Sequence, residues 1–172
     1  MPTGSSALLQ HKSFLLFLLS RSFSRFSSQI TAVAVGWQVY DLTGSAFALG
    51  MVGLVQFLPT LLLVFVAGHA ADRYERKRVV QVCMLVEALT ALFLAWGAYT
   101  GLLTVVQIFI AMAVLGTAGA FESPATAALL PLIAPSGTLQ RATALSSGAI
   151  QIATITGPAL GGFAYAVSPG LP

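Results

Sequence analysis

Long apolar runs that charged residues rarely interrupt constrain this chain more than any other feature. Of its 172 residues, 57% are hydrophobic and only 8% are charged, whereas a soluble domain carries roughly a quarter charged residues. So few charges would not keep a soluble protein of this size dispersed. The composition excludes most soluble enzymes, disordered tails and secreted disulfide scaffolds, and the single cysteine, Cys83, has no partner for an internal disulfide. We therefore expect the chain to fold in lipid.

Five segments are long enough to cross a membrane, which requires roughly 20 mainly apolar residues. Lipid permits only helices or closed barrels, and no alternation of period two appears, so we predict helices. The first segment is the weakest by hydropathy because Arg21, Arg25 and many serines interrupt it. We predict one domain with a cytoplasmic tail over 1–12 and spans over about 14–40, 46–67, 79–99, 103–133 and 139–167.

The distribution of lysine and arginine predicts the orientation of the chain. Six of the eight basic residues lie in the tail, between spans two and three, or before span five, and the other connections hold none. Connections rich in these residues stay in the cytoplasm, which places the N-terminus inside and, after five spans, the C-terminus outside. We expect a multi-pass plasma-membrane protein, in the inner membrane if the source is bacterial. Five aromatic residues would then lie at the outer interface, where such rings are enriched: Trp37, Tyr40, Trp96, Tyr99 and Tyr165.

The connection between spans two and three carries the strongest local motif, which runs from Gly68 to Arg78. Asp72 is read as following a helix C-terminus, where the helix dipole disfavours negative charge, so its presence needs a reason. One plain explanation is an Asp-x-x-Glu capping box formed by Asp72 and Glu75 at the start of the third helix. Another is that the basic run only fixes the topology.

The same motif resembles the loop 2–3 signature of the major facilitator superfamily. In that signature a glycine is followed after three residues by Asp-Arg, and after two more by two basic residues. Five residues match it: Gly68, Asp72, Arg73, Arg76 and Lys77. Glu75 departs from it, since many members have glycine there. The resemblance implies that Asp72 and Arg73 form a gate against a helix in the other half of a transporter.

A second match lies in span five and resembles the core of the antiporter motif found in exporters of this superfamily. Its matching residues are Gly157, Pro158, Gly161 and Gly162, with Gly148 present upstream and Ala153 in place of a further glycine. Glycines four residues apart allow close helix approach, and proline bends a helix. The plain alternative is ordinary packing of small residues.

Further stretches look like the enterobactin-exporter-like branch of the superfamily. They are residues 124–134, 142–145 and 37–45, so the resemblance covers essentially the whole chain.

Four charged residues lie inside the predicted spans, where each is expensive and is a functional candidate. At about 1.5 Å per residue, Arg21, Arg25, Glu87 and Glu122 all fall about 12–18 Å from the cytoplasmic ends of their helices. Opposite charges in one layer can neutralise each other. In the superfamily, helices one and four line the cavity and helix three is peripheral. This favours Glu122 paired with Arg25 or Arg21 as a cavity and proton site.

Two alternatives remain for this layer. Glu87 is interpreted as structural, or as paired with Gln81 or another neighbour. Span four could also end near Phe121, which would leave Glu122 at the interface and let Ser123-Pro124 start a cytoplasmic helix.

No enzyme, metal or cofactor motif emerges, and the basic connection suits anionic lipid better than nucleic acid. We expect an all-α membrane protein, the N-terminal portion of a secondary transporter, which exports a small molecule in exchange for protons. Its expected partners are membrane lipid, a small-molecule substrate, protons, and either a missing C-terminal half or a second copy, because the half lacks its sixth helix. The alternative is a non-transporting membrane subunit or the remnant of a split transporter gene.

Overall fold

The computed structural model describes residues 11–135 and 137–167, without the side chains of Ala71 and Asp72. Over these residues the chain forms five long helices and no strand. The helices are α1 (Lys12–Thr43), α2 (Ala46–Arg73), α3 (Arg76–Thr100), α4 (Val105–Ile133) and α5 (Leu139–Val167). The predicted all-helical fold is confirmed.

Four of the helices, α2 to α5, are long and apolar enough to cross a membrane. The first helix is long enough, at 32 residues, but Arg21, Arg25 and its serines lower its hydropathy. Large apolar side chains cover the outside of the bundle, and Phe47, Phe65 and Phe163 are each more than 70% exposed. An exterior of this kind is suited to lipid rather than to water.

Short connections make neighbouring helices antiparallel. α1 and α3 end at Gly44 and Gly101, whose φ angles of 61° and 69° are left-handed and favour glycine. We call the end of the bundle that carries the start of α1 the proximal end; it also holds the α2–α3 and α4–α5 connections. The distal end holds the α1–α2 and α3–α4 connections, where Thr104 and Gln107 form a capping box that starts α4.

The start of α3 differs from the expected capping box. α2 continues through Arg73, because the backbone N–H of Tyr74 still donates to the carbonyl of Ala70. Asp72 therefore lies inside the last turn of α2 and not after it. The N-cap of α3 is Glu75, without a side-chain cap, so the capping box of Asp72 with Glu75 is wrong.

The fourth helix is continuous. It passes Glu122, Pro124 and Pro131 without a break and ends at Ile133. Neighbouring helices and local adjustments let membrane helices tolerate proline in this way. The alternative in which span four ends near Phe121 is therefore wrong.

The helices pack as two groups. α1 lies along α5, while α2 lies along α4, which has α3 on its other side, and contacts between the α1–α5 pair and the α2–α3–α4 group are sparse. Apolar clusters join the groups at both ends. The distal cluster includes Val39 and Ile108, and the proximal cluster, here called the Phe14 plug, consists of Phe14, Leu18, Leu130, Ala134, Ala142 and Leu145.

Candidate functional site

An open cavity of about 770 Å³ lies at mid-depth between the two helix groups. α1 contributes hydroxyl groups to its wall, including those of Ser20, Ser24 and Thr31, and α2 contributes Gln56 and Thr60. The serines that weaken the first helix as a membrane span therefore line a polar interior. A polar wall inside an otherwise apolar bundle can bind a polar or charged ligand.

An ion pair between α1 and α4 stands at this cavity. The Arg21 Nη1 and the Glu122 Oε1 are 2.6 Å apart, and their side chains are only 22% and 10% exposed. Both groups line the cavity. A charge buried in this way needs a partner because desolvation is expensive. Of the two arginines that the sequence left open, the one that contacts Glu122 is Arg21.

A second carboxylate, Glu87 of α3, lies beside this pair. Its Oε2 accepts a hydrogen bond of 2.9 Å from the Ser24 hydroxyl. Glu87 also lines the cavity, and the neighbour it bonds is Ser24 of α1 rather than Gln81 of its own helix. The reason is that α3 packs on α4 with this face turned towards α1. The sequence indicated this position, because the predicted depth of Glu87 equals that of Arg21.

Arg25 lines the same cavity, but its hydrogen bond is to α5. Its Nε donates to the Thr154 Oγ1 at 3.3 Å, and Gln29 donates to the Thr154 carbonyl at 3.5 Å. The expected alternative pairing of Arg25 with Glu122 is therefore not formed. Arg25 instead helps to fasten α1 to α5.

The glycine motif of α5 lies against α1. A Cβ atom at Gly157 would come within 2.6 Å of the Gln29 Cβ, and one at Gly161 within 3.1 Å of the Ile30 Cα. Gly162, by contrast, faces open space, and Pro158 sits inside the continuous helix. Two of the four motif residues thus serve close helix approach.

A comparable close contact in the other helix group was missed by the sequence reasoning. A Cβ atom at Gly116 of α4 would overlap the carbonyl oxygen of Gln56 in α2, and Thr60 donates to the Gly116 carbonyl at 3.2 Å. Gly116 and Ala120 are small residues four apart, which was the available signal.

The residues of the α2–α3 motif lie at the proximal end, away from the ion pair. Gly68 faces open space, Arg73 and Lys77 are exposed, and Arg76 is half-buried. The side chain of Asp72 lies outside the described atoms. Glu75, which replaces a family glycine, has an ordinary φ of −61° and bonds Arg78 at 2.6 Å, so the turn does not require glycine.

At the distal end, a small polar cluster ties α1 to α5. The Tyr165 hydroxyl donates to the Asp41 Oδ2 at 2.6 Å, and the Tyr165 ring stacks on Trp37 with centroids 6.1 Å apart. The sequence reasoning treated both aromatic residues as interface anchors and did not foresee the contact between them.

The described residues contain no group of three or more metal-ligating side chains. What the cavity offers is charge: the Arg21–Glu122 ion pair, with a second carboxylate and a second guanidinium in the same lining. Long helices with an apolar exterior around a charged interior cavity define a multi-pass α-helical membrane protein.

The chain belongs to a family of the major facilitator superfamily described as transmembrane secretion effector, whose sequence profile matches residues 3–170.

Several curated relatives are efflux or transport proteins by name. The chain is 29% identical over 147 residues to Macrolide efflux protein A of Streptococcus pyogenes, covering 86% of this chain and 36% of that protein. It is 30% identical to the Staphyloferrin A transporter of Staphylococcus aureus over 90% of this chain and 37% of that protein. Multidrug efflux pump Tap of Mycolicibacterium fortuitum shows 29% identity over 91% of this chain and 40% of that protein.

The chain thus spans between a third and two fifths of the length of these relatives. No solved structure matches it significantly.

Proposed function

We propose that this chain forms the first part of a secondary transporter that exports a small molecule in exchange for protons. The observation that carries the proposal is the Arg21–Glu122 ion pair, buried at a polar cavity between two helix groups. Ionisable residues inside a membrane protein mark substrate and ion pathways. The relatives named for macrolide efflux, staphyloferrin A transport and multidrug efflux support export as the direction.

The proton-coupled step is proposed for the charged cluster of Arg21, Glu87 and Glu122. Two carboxylates face one guanidinium there, since Arg25 makes its contact with Thr154. Uptake of one proton makes the cluster electrically neutral, and its release restores one negative charge. That difference of one charge, next to the cavity, is what an exchange of protons for substrate requires.

The contacts between the two helix groups also have a role in this proposal. Alternating access rocks one half of a carrier against the other around a fixed midplane site, and the charged cluster would form part of that site within the first half. The Arg21–Glu122 and Ser24–Glu87 contacts cross from the α1–α5 pair to the α2–α3–α4 group. A change in the charge of the cluster would therefore change how firmly the groups are joined.

The proximal end is proposed to face the cytoplasm, because six basic residues lie in the tail and connections of that end. Single cysteines test this in a Cys83→Ser background. Leu102→Cys, at a distal side chain that is 75% exposed, should react with an impermeant thiol reagent in intact cells. Tyr74→Cys, at a proximal side chain that is 64% exposed, should react only after lysis. The reverse pattern would overturn the orientation.

The gate is proposed for Asp72 and Arg73, with Gly68, Arg76 and Lys77 completing the motif. In a complete transporter that carries this chain as its first half, Asp72→Asn should strongly reduce transport without reducing the amount of protein in the membrane. Glu75→Gln, which removes a neighbouring exposed carboxylate outside the matched residues, is the control for loss of a single negative charge. Wild-type transport by Asp72→Asn would remove the gate role.

Transport itself is tested in the same complete protein, reconstituted in proteoliposomes with a pH-sensitive dye inside. We expect substrate-dependent proton flux that Glu122→Gln abolishes. The 172-residue chain alone should give no flux, because alternating access needs an opposing half. A folded complete protein without substrate-dependent flux would support the competing interpretation, a non-transporting membrane subunit.

A further inference from the structure

Among the described residues, three buried polar atoms have no hydrogen-bond partner: Arg21 Nε, Thr126 Oγ1 and Ser146 Oγ. Thr126 is only 7% exposed and Ser146 only 8%. A buried polar group without a partner is strongly disfavoured, and native proteins rarely leave one in that state. Each of these three atoms therefore requires an explanation.

Thr126 and Ser146 lack a bond that satisfies several other hydroxyl groups in the described helices. In those cases the hydroxyl donates to the carbonyl four residues earlier, as Ser22 does to Leu18 and Thr117 does to Ala113, each at 2.8 Å. That bond satisfies the hydroxyl within its own helix. Thr126 and Ser146 do not form it, so their hydroxyl groups are directed elsewhere.

Helix register places the three residues within about one helical turn of one another along the bundle. Phe14 packs with Ala142 and Gln29 meets Gly157, with the same offset along α1 and α5 in both contacts, so Ser146 lies beside Leu18. Thr126 lies one helical turn from Glu122 on one side and one turn from Leu130 on the other. Arg21 is nearly one turn from Leu18. Thr126 and Ser146 thus lie at the edge of the Phe14 plug that faces the ion pair, each on a different neighbour of α1.

We propose that Arg21 Nε, Thr126 Oγ1 and Ser146 Oγ bind ordered water, which occupies the interior between the Arg21–Glu122 pair and the Phe14 plug. A buried water makes about three hydrogen bonds to groups that are otherwise unsatisfied. The site offers one donor that cannot accept, Arg21 Nε, and two hydroxyl groups that can do either. Water is the ligand that satisfies this set, because it accepts from the guanidinium and exchanges hydrogen bonds with both hydroxyl groups.

This water extends the polar network of the cavity towards the proximal end. The Arg21 guanidinium would contact Glu122 through Nη1 and the water through Nε. The Phe14 plug, in which Phe14 and Ala142 are fully buried, closes the water off from that end. The inference concerns the folded chain and does not depend on the proposed transport.

Substitutions that remove a hydroxyl group with little change in shape test the proposal. The sign of the change in the midpoint of thermal unfolding distinguishes a hydroxyl that binds water from one that is unpaired. If each hydroxyl binds water, Thr126→Val and Ser146→Ala should lower the midpoint of thermal unfolding of the chain in detergent by about 3 °C or more relative to their controls. The controls are Thr117→Val and Ser22→Ala, whose hydroxyl groups are satisfied by their own helices. A midpoint that rises, or that matches the control, would overturn the proposal, because removal of an unpaired hydroxyl stabilises.

The double variant tests whether the two hydroxyl groups share the water. A shared water is lost once, so Thr126→Val with Ser146→Ala should cost clearly less than the two single effects added together. Strict additivity would contradict a shared site. An experimental structure of the unaltered chain offers a second measurement that needs no variant. It should show water density about 3 Å from all three atoms, and an empty interior at sufficient resolution would contradict the proposal.

Discussion

The contact between α1 and α5 and the contact between α2 and α4 use the same device and are stabilised differently. Both rely on glycines that let two helices approach closely, Gly157 and Gly161 in the first and Gly116 in the second. The α2–α4 contact continues into the apolar distal cluster around Val52 and Met112. Along α1–α5, side-chain hydrogen bonds from Arg25 to Thr154 and from Tyr165 to Asp41 add to the packing of Phe14 on Ala142.

This difference indicates which helices of the bundle we expect to move relative to the others. A helix that packs directly against a backbone carbonyl oxygen cannot move to a second arrangement of similar free energy, because close-packed interiors transmit strain. Hydrogen bonds between exposed polar side chains can exchange for others with little change in free energy. We therefore expect the α2–α3–α4 group to be the fixed part and the α1–α5 pair to be the part that can shift. The charged cluster lies between them.

Loss of the Glu122 charge should have the largest effect on this arrangement. Glu122→Gln leaves the Arg21 guanidinium without its ion-pair partner, and breaking a buried pair is strongly destabilising. Because the Arg21 side chain keeps some exposure, 22%, we expect a loss of about 2–4 kcal/mol in the free energy of unfolding. Denaturant unfolding in mild detergent measures it.

Glu87→Gln is the matched control for that substitution. It leaves the Arg21–Glu122 pair intact and can still accept from Ser24, so we expect less than about 1 kcal/mol. Equal losses from the two substitutions would show that the ion pair is not the main link.

Addition of a methyl group at the α2–α4 contact should cause the second-largest loss in the free energy of unfolding. Gly116→Ala places a Cβ atom against the Gln56 carbonyl, and overpacking of this kind costs about 1–3 kcal/mol. Gly119→Ala, three residues along the same helix with nothing within 4 Å, should be neutral or slightly stabilising because alanine favours helix. If both variants unfold alike, close packing does not define the fixed part.

The same change at the α1–α5 contact should have a smaller effect. Gly157→Ala meets the Gln29 side chain, and a contact fastened by hydrogen bonds can open slightly, so we expect about 1 kcal/mol. Gly162→Ala faces open space and serves as the control. A loss at Gly157 larger than that at Gly116 would reverse the assignment of fixed and shifting parts.

Removal of one distal hydrogen bond should have the smallest effect. Tyr165→Phe keeps the stack on Trp37 but loses the bond to Asp41, and an exposed hydrogen bond contributes about 0.5–1 kcal/mol. Thermal unfolding should show a shift of about 3 °C or less. A much larger shift would mean that the distal cluster, and not the charged layer, holds the α1–α5 pair in place.

The number and extent of the helices could be predicted because lipid leaves few choices. A backbone in lipid must satisfy its own hydrogen bonds, so the length of an apolar run nearly fixes a helix. Depth along a helix can also be predicted, because it follows from the rise per residue. The shared depth of Arg21, Glu87 and Glu122 predicted one layer of charge. The rotation of each helix about its axis could not be predicted, because it depends on which side chains pack between neighbouring helices.

The errors in the site follow from that missing rotation. Arg21 and Arg25 differ in depth by only about 6 Å, so depth alone could not decide which of them contacts Glu122. Glu87 was set aside because of the place of its helix, although a helix at the edge can still turn one face inward. Asp72 was misplaced because α2 runs farther than its apolar residues indicate.

A double-mutant cycle on the charged layer tests the central claim, that Arg21 and Glu122 join the two helix groups. Arg21→Gln, Glu122→Gln and the double variant should be compared by denaturant unfolding of the chain in detergent, alongside the same cycle for Arg25→Gln. We expect the loss in the double variant of Arg21 and Glu122 to fall short of the summed single losses by about 1–3 kcal/mol. The losses for Arg25 and Glu122 should add. A cycle in which Arg25 couples to Glu122 and Arg21 does not would contradict the account.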